Sequence, residues 1–453
     1  MGSRIRVFLI VFFIAFGGAG APRASSDEDP TARLDAWIQP LVEARDLAGT
    51  VVVRHRGVDL LARSYGWQDL EGTAAIDPST RFGVGSITKQ FTAATLMVLW
   101  DEGRVDLRAP ITELLPELSP HHDITLHHLL THQAGLVRDL PDSLPVDVSF
   151  LEILAAQPRL AEAGQASVYS NCGFGVIAEA IERIAGFPFE EVMRDRLLRP
   201  LALHDTDFWD GRPRGKDHAD ALDPDLGPAR VALAPQVDMR RLRGAGDLLS
   251  TPRDLVKWLS ALSEGELFSE EARTLLTTDH GDGRAYGFGV YTRGGRRVIG
   301  HDGVTNGFTA FAEWYPEEEL VVAYAGNVRT YAFEWLETAL PRLVLGGDLP
   351  VYPRVDGGSP GVDAGIVGRY RVHEALRLDI TQVDSHLELK GTGGYPTPLL
   401  RIAVDRYWYR ARFSSLEFVR NEEGDVTTMK WIDAHGSSFD IPRQAENPDR
   451  EMR

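Results

Sequence analysis

The stretch Phe82-Gly83-Val84-Gly85-Ser86-Ile87-Thr88-Lys89 is the most informative part of this sequence. Two glycines lead the chain into a segment whose apolar residues, between Phe91 and Leu99, predict a helix that begins near Ser86. Lys89 follows Ser86 by three residues, so both side chains lie on one face of that helix. A serine hydroxyl is a weak nucleophile until a base takes its proton, and a buried lysine can do so. A serine helix start with a solvated lysine would give the same pattern.

A second pattern, Ser167-Val168-Tyr169-Ser170-Asn171, opens another predicted helix. Tyr169 is the only one of twelve tyrosines with an asparagine two positions later. A phenol held near Lys89 could relay the serine proton, and Asn171 could hydrogen-bond the lysine and a substrate amide. A buried tyrosine beside a helix-capping asparagine is the alternative interpretation.

The third pattern, Gly300-His301-Asp302-Gly303-Val304, follows a predicted strand that begins at Arg297. Its small residues would let a substrate backbone lie along an edge strand, the mode called β-augmentation. His301 could then donate to a substrate carboxylate or carbonyl, or to Tyr169. The stretch His55-Arg56-Gly57 has the same His-x-Gly spacing, but it lies in a predicted hairpin turn and is interpreted as a surface loop.

The order Ser-x-x-Lys, Tyr-x-Asn, His-x-Gly resembles serine hydrolases of the class C β-lactamase and penicillin-binding-protein type. This family includes D-alanyl-D-alanine carboxypeptidases, D-aminopeptidases and related esterases. Residues 129–136 look like the family's Leu-Leu-Thr-His-x-Ser-Gly-Leu, with Ala134 in place of the serine. Residues 244–255 are similar to its Gly-Ala-Gly-Gly-Leu-x-Ser-Thr segment, with Asp247 at one glycine. The resemblance covers about residues 31–345.

The resemblance implies a role for each matching residue. Ser86 would be the acylated nucleophile, Lys89 and Tyr169 would share its proton, and either of these two could be the general base. The backbone N–H groups of Ser86 and Val304 would form the oxyanion hole. Three further residues would contact the substrate: Asn171, His301 and Gly303. The resulting two-step acyl transfer needs neither a metal nor a cofactor.

His301 stands where β-lactamases of this type usually have the lysine of Lys-Thr-Gly. An ammonium group anchors a substrate carboxylate, whereas a histidine is mostly neutral at pH 7. We therefore expect a peptidase on D-amino-acid or peptidoglycan-like peptides first, an esterase on small acyl esters second and a class C-like β-lactamase third. The non-enzyme alternative is a catalytically silent binding or regulatory protein, against which the joint presence of Ser86, Lys89 and Tyr169 argues.

Three other features admit functional interpretations. His128 and His132 have the i, i+4 spacing of a zinc pair, but no glutamate lies between them and they belong to the Thr-His segment, so no metal site is predicted. Cys172 is expected to be a buried apolar residue rather than a reactive thiol. The Tyr-Trp-Tyr run at 407–409 could form a ligand platform, although core packing is the default interpretation.

The fold class expected is α/β, with a β-lactamase-like catalytic domain at 31–345 followed by a small all-β domain. The antiparallel sheet of the catalytic domain would be formed from both of its ends, with a helical region inserted. Its expected strands are Thr50 to Arg54, Leu60 to Tyr65, Gly287 to Tyr291, Arg297 to Gly300, Phe308 to Tyr315 and Leu320 to Ala325. A Gly/Pro-rich linker is predicted at 346–365, a barrel-like antiparallel β domain at 366–443 and a flexible tail at 444–453.

Composition narrows the function classes. The 453 residues include 48 Lys plus Arg and 66 Asp plus Glu, for a net charge of −18. This acidic balance argues against nucleic acid as a partner, because phosphates favour a basic surface. Only five of the cations are lysines, so Lys89 is one of few side chains that could supply an ammonium able to lose its proton.

The first residues predict export. Residues 1–24 match a secretory signal peptide, with Arg4 and Arg6 before the apolar run from Val7 to Phe16 and a small-residue exit. The expected location is periplasmic or secreted, with an N-terminal membrane anchor as the alternative and no stable membrane span after signal removal. The expected partner is a small peptide or ester substrate, and the oligomeric state stays open.

Overall fold

The computed structural model describes residues 29–141, 149–212, 218–225, 231–265, 267–351, 361–373, 376–392, 396–432 and 438–444. The predicted signal peptide, the middle of the predicted linker and nearly all of the predicted tail lie outside these ranges. Within them, none of the helices combines the length and the apolar character that a membrane crossing requires.

Helices are spread along the catalytic region. In chain order, the α-helices of the described residues are α1 (Pro30–Glu43), α2 (Thr88–Asp101), α3 (Leu126–Leu130), α4 (Phe150–Ala155), α5 (Asn171–Ala185), α6 (Phe189–Met193), α7 (Pro252–Glu264), α8 (Glu270–Thr277) and α9 (Phe333–Leu345). The amphipathic pattern from Arg329 to Leu345 predicts one further helix. It begins four residues later, at Phe333, because the Arg329 N–H donates to the carbonyl of Leu222 instead of continuing a helical turn.

The main sheet is built from both ends of the catalytic region, as predicted. The strands of this region are β1 (Gly49–His55), β2 (Val58–Tyr65), β3 (Phe82–Gly83), β4 (Asp207–Phe208), β5 (Leu222–Pro224), β6 (Val231–Leu233), β7 (Leu248–Ser250), β8 (Gly289–Arg293), β9 (Arg296–Thr305), β10 (Phe308–Tyr315) and β11 (Leu320–Gly326). Six of them form an antiparallel sheet in the order β2-β1-β11-β10-β9-β8.

Both faces of this sheet are buried. Val51 and Val53 of β1 join a core with Leu34 of α1 and Phe333 of α9, whereas Val52 joins the core of the helical region. Successive strand residues point to opposite faces, so a strand covered on both sides needs apolar residues at every position. This explains the uninterrupted apolar run of β1, and it places the helical region on one face and α1 with α9 on the other.

The middle of the chain contains short strands as well as the predicted helices. β3, β7 and β4 form a three-stranded sheet immediately before Ser86, and β5 pairs with β6. A strand of two or three residues is too short to show a period-two pattern, so the sequence could not reveal these pairs. The pairing of Gly83 with Leu249 brings the segment at 244–251 beside the nucleophile stretch.

β9 extends further than the sequence predicted. It continues through the His-x-Gly pattern to Thr305, and it pairs with β10 along this length. Its other neighbour, β8, pairs only with residues 296–300. Among the described residues, the outer edge of β9 from His301 to Thr305 therefore has no strand partner, which leaves its backbone groups open to an added strand.

The C-terminal residues form an eight-stranded antiparallel sheet that nearly closes into a barrel. Its strands follow in chain order: β12 (Gly368–His373), β13 (Leu376–Val383), β14 (His386–Gly391), β15 (Thr397–Ala403), β16 (Arg406–Tyr409), β17 (Ser414–Arg420), β18 (Val426–Ile432) and β19 (Ser438–Pro442). A bridge between Tyr370 and Arg443 and the hydrogen bond from the Gln444 N–H to the Arg369 carbonyl link the first strand to the last.

The barrel is fastened to the α9 side of the catalytic region. Trp408 and Phe413 of the barrel belong to the same apolar cluster as α1 and α9. Arg410, 3% exposed, forms an ion pair with Asp46 and donates to the backbone carbonyl of Ala44 at 3.0 Å. Tyr407 and Tyr409, by contrast, pack inside the barrel. Core packing of the Tyr-Trp-Tyr run is thus confirmed, with its tryptophan completing the contact between the two domains.

Candidate active site

Ser86 lies in a single 3-10 turn, Gly85–Ile87, that leads directly into α2. The turn requires a glycine, because Gly85 has a φ of +50° and a Cβ there would lie 3.1 Å from the backbone nitrogen of Val304. The first N–H groups of a helix lack intrahelical partners and carry a partial positive charge. Ser86 is therefore presented where negative charge is stabilised.

Lys89 is completely buried beneath Ser86. Its Nζ lies 3.1 Å from Ser86 Oγ and donates to the carbonyl of Ala245 at 2.7 Å. Burial lowers the pKa of Lys89, while the neighbouring Tyr169 opposes this shift. Removal from water disfavours the charged form, so the amine becomes available as a proton acceptor.

Tyr169 completes a triangle around the serine oxygen, with its hydroxyl 2.8 Å from Ser86 Oγ. The ring of His132 packs against it at a centroid distance of 4.3 Å, and the His132 Nδ1 accepts a hydrogen bond from the Ser170 N–H at 3.2 Å. Burial holds the pKa of His132 well below its usual range, so this ring is neutral at pH 7. His132 thus packs beneath Tyr169 as a buried, neutral ring. A structural role of this kind agrees with its place in the Thr-His segment at 129–136.

His301 and Gly303 point from β9 towards the same site. The His301 ring lies 6.2 Å from that of Tyr169, and its pKa is lowered, chiefly by burial. A Cβ on Gly303 would overlap the carbonyl oxygen of Val84 and lie 3.3 Å from the backbone nitrogen of Ser86. Only glycine fits here, and the two N–H groups predicted as the oxyanion hole lie on the two backbone segments that meet at this point.

Asn171 is oriented differently from the prediction. Its Nδ2 donates to Asp139 Oδ1 at 2.7 Å, whereas the sequence pattern predicts a hydrogen bond to Lys89. Lys89 instead bonds to Ser86 and Ala245. The Oδ1 of Asn171 is buried without a hydrogen-bond partner among the described residues, so its substrate contact stays a prediction.

Sequence reasoning missed two guanidinium groups at the site. Arg138 and Arg284 lie over the ring of Tyr169, with their Cζ atoms 5.0 and 5.6 Å from its centroid. Arg138 lies two residues after the Thr-His segment at 129–136. This closeness to a motif could have indicated that Arg138 lies near the site. Arg284 comes from a loop about 115 residues further along the chain than Tyr169, and no motif marks it; only the tertiary fold brings it here.

Asp247, the residue that replaces a family glycine, shapes the loop that holds Lys89. It is 4% exposed, and its carboxylate accepts a hydrogen bond from the Gly244 N–H at 3.0 Å. Burial raises its pKa to about 7. The closed loop presents the Ala245 carbonyl to Nζ of Lys89, so the departure from the family pattern leaves the lysine contact intact.

His128, His132 and Cys172, for which the sequence allowed alternative interpretations, have the following surroundings. His128 Nδ1 accepts a hydrogen bond from the Thr125 N–H, and His132 Nδ1 accepts one from the Ser170 N–H. Cys172 is 5% exposed, and burial raises the pKa of its thiol to about 12. Its interpretation as a buried apolar residue is confirmed.

Comparison with known proteins agrees with this geometry. The model of the Beta-lactamase family matches residues 34–342. The teichoic acid D-alanine hydrolase of Staphylococcus aureus (strain NCTC 8325 / PS 47) is 26% identical over 276 residues, which cover 59% of this chain and 67% of that protein. The crystal structure of SurE is 25% identical and covers 92% of this chain and 99% of its own, with a TM-score of 0.62.

A second solved structure also matches both the catalytic region and the barrel. The octameric penicillin-binding protein homologue from Pyrococcus abyssi covers 91% of this chain and 98% of its own, with a TM-score of 0.63 and 22% identity, which shows a shared fold. The family match spans the Ser-x-x-Lys, Tyr-x-Asn and His-x-Gly patterns together. The chain therefore belongs to the Beta-lactamase family, as a serine hydrolase of the penicillin-binding-protein and β-lactamase type.

Proposed function

We propose that this serine hydrolase cleaves D-amino-acid or peptidoglycan-like peptides through an acyl-enzyme on Ser86. The observation that carries the proposal is the position of one hydroxyl, Ser86 Oγ, within hydrogen-bond distance of both Lys89 Nζ and the Tyr169 hydroxyl. A serine held between two such groups can lose its proton as it attacks. The teichoic acid D-alanine hydrolase among the relatives supports a D-alanyl substrate.

The reaction proceeds in two steps. Ser86 Oγ bonds to the scissile carbonyl carbon while its proton passes to Lys89 or Tyr169, and the N–H groups of Ser86 and Val304 stabilise the oxyanion. The C–N bond then breaks as the departing amine takes up that proton. Water attacks the ester in the second step, releases the acid and restores the serine hydroxyl. The open edge of β9 beside Ser86 supports an extended peptide backbone as the substrate.

An esterase on small acyl esters is the second candidate, since an ester uses the same acyl-enzyme with an alcohol as the leaving group. A β-lactamase ranks below both, because His301, whose pKa is lowered, supplies no permanent ammonium for a β-lactam carboxylate. We also propose export, on the signal-like pattern of residues 1–24.

Intact-mass measurement after treatment with a fluorophosphonate or a penicillin tests the proposal. The protein should gain one adduct, and Ser86→Ala should gain none. Ser263→Ala is the matched control, because its hydroxyl bonds within α7 and should leave labelling unchanged. Equal labelling of Ser86→Ala would exclude the acyl-enzyme. Hydrolysis of D-alanyl peptides, p-nitrophenyl esters and nitrocefin, run in parallel, orders the candidates, and a folded protein inert towards all three would favour the silent binding protein.

A further inference from the structure

The loop at 244–248 is bound to α2 through its backbone carbonyls. Thr92 Oγ1 donates to the Gly244 carbonyl at 2.7 Å. Lys89 Nζ donates to the next carbonyl, that of Ala245, at the same distance. Both donors lie on α2 three residues apart, so they face the loop from one side of the helix. The position of the loop therefore determines where the amine of Lys89 is held.

Asp247 closes this loop with its side chain. Its carboxylate accepts a hydrogen bond from the Gly244 N–H at 3.0 Å, and its own backbone carbonyl accepts one from the Trp209 N–H at 2.8 Å. Gly244 and Asp247 are three residues apart, so the carboxylate spans the turn that contains Ala245. The contact that fixes the turn is thus made by a buried side chain and not by the backbone alone.

Asp247 departs from the family pattern, in which a glycine stands at this position of the segment at 244–255. Among the described residues it forms no ion pair. Besides burial, the charged groups that act on the pKa of Asp247 are Glu190, which raises it, and Arg243, which lowers it. Arg243 is engaged elsewhere, in ion pairs with Glu179, Glu182 and Glu190. A buried carboxylate without an ion pair depends on its hydrogen bonds, which here come from backbone N–H groups.

The strength of the closure depends on whether Asp247 is ionised. Burial raises the pKa of its carboxyl to about 7, while the N–H groups of Asp247 and Gly244 favour the ionised form. A hydrogen bond to a carboxylate is roughly twice as strong as one to a neutral acceptor. The turn is therefore held more firmly above about pH 7 than below it.

We propose that Asp247 is a positioning residue for acylation. Its carboxylate closes the turn at 244–247 and thereby keeps the Ala245 carbonyl in place. That carbonyl in turn orients the amine of Lys89 towards Ser86 Oγ, which is 3.1 Å away. This inference rests on the proposed function, because it assumes that Lys89 takes part in the deprotonation of Ser86. It goes further by assigning a role in the reaction to the side chain that replaces the family glycine.

The rate at which a fluorophosphonate labels Ser86, measured from about pH 5 to about pH 9, tests this proposal. Asp247→Asn keeps the size of the side chain and removes its ionisation. Below about pH 6 both side chains are neutral, so the two labelling rates should differ less than about 2-fold. Above about pH 8 the variant should be labelled about 10-fold more slowly, because only the carboxylate forms the stronger hydrogen bond.

Asp254→Asn is the matched control. The carboxyl of Asp254 is also buried with a raised pKa, but it accepts from the Asp205 N–H and the Thr206 hydroxyl rather than from the loop. Its replacement should change the labelling rate by the same small factor, below about 2-fold, at every pH. Asp247→Gly restores the family residue and serves if the asparagine variant does not fold. Its rate relative to the unmodified protein should also fall as the pH rises through about 7.

A constant ratio of variant to unmodified rate across pH would mean that Asp247 is merely structural, and equal rates would mean that it has no role. Either result overturns the proposal. Thermal unfolding follows the same titration without catalysis. Because folding raises the pKa of Asp247 from the ordinary 3.8, the unmodified protein should lose stability as the pH rises through about 7, and Asp247→Asn should lose less. If unfolding shows this difference but Ser86 is not labelled at any pH, the proposed function fails and the inference fails with it.

Discussion

Lys89 is the residue whose charge state decides the chemistry. It is completely buried, no carboxylate is hydrogen-bonded to it within the described residues, and its Nζ lies against the rings of Tyr169 and Phe174 at 5.0 and 5.6 Å. An amine in these surroundings gives up its proton more readily than one in water. We therefore propose Lys89, rather than Tyr169, as the group that accepts the serine proton.

Replacement of Lys89 should separate the two possible bases. An arginine cannot lose its proton, so Lys89→Arg should slow acylation about 100- to 10,000-fold, and Lys89→Met should do the same without placing a charge in the core. Since the neutral amine is the active form, the acylation rate of the unmodified enzyme should rise with pH. It should level off at a pH below 10.5, the usual pKa of a lysine, because burial lowers the pKa of Lys89. Stopped-flow labelling across pH measures both effects, and a nearly active Lys89→Arg would assign the base to Tyr169.

The sequence predicted contacts between residues that lie in one motif. It did not predict contacts between residues that are distant in sequence and meet only in the folded protein. Ser86 and Lys89 share a helix face, so their spacing alone predicted their contact, and this is confirmed. Nothing in the sequence connects Arg284 with Tyr169. The orientation of Asn171 was also beyond the sequence, because it depends on Asp139 in a neighbouring loop.

The element that we expect to govern substrate access is β9, which lies in close contact with the turn at Ser86. Residues 301–305 lack an outer strand partner in the described part of the chain, and Gly303 touches Val84 and Ser86. The predicted strand ended at Gly300, because the glycines in the His-x-Gly pattern have low β propensity. Tertiary contact with the turn overrides this preference, and the sequence could not show that.

Gly303→Ala should disable the site through backbone displacement alone. Its Cβ would overlap the Val84 carbonyl, so β9 must move away from Ser86, and a shift of about 1 Å should lower kcat/KM about 100-fold. Gly289→Ala in β8 is the control, since the nearest atoms to its Cβ are 3.4 Å away and activity should stay within about 2-fold. Thermal unfolding confirms that both variants fold, and an active Gly303→Ala would contradict the assigned contact.

At the scale of the whole molecule, the barrel and the catalytic region share one apolar cluster and one buried ion pair. The alternation of apolar residues predicted an antiparallel β domain, and its barrel-like form is confirmed. The contact surface between the barrel and the catalytic region was not predictable, because Asp46 and Arg410 are 364 residues apart and neither belongs to a motif.

We propose 346–365 as the boundary between the two domains. Part of this segment contacts the catalytic region, since Trp37 of α1 donates to the Pro350 carbonyl at 2.7 Å.

Arg410 should matter more for stability than its neighbour Arg412. Removal of Arg410 leaves the Asp46 carboxylate unpaired in the interface, so Arg410→Ala should lower the free energy of unfolding by about 3–5 kcal/mol. Arg412 is exposed and stacks on the ring of Tyr331 at 3.8 Å, so Arg412→Ala should cost less than about 1 kcal/mol. Urea unfolding compares the two, and equal losses would show that the ion pair does not fasten the barrel.

The open edge of β9 also bears on how copies of this protein meet one another. An unpaired strand edge can bind any extended chain, including the same edge of a second molecule. Two copies pairing through residues 301–305 would carry two Asp302 carboxylates into one short ribbon, where like charges oppose each other. The Asp302 side chain therefore discourages edge-to-edge self-association, and a variant without its charge should self-associate more readily.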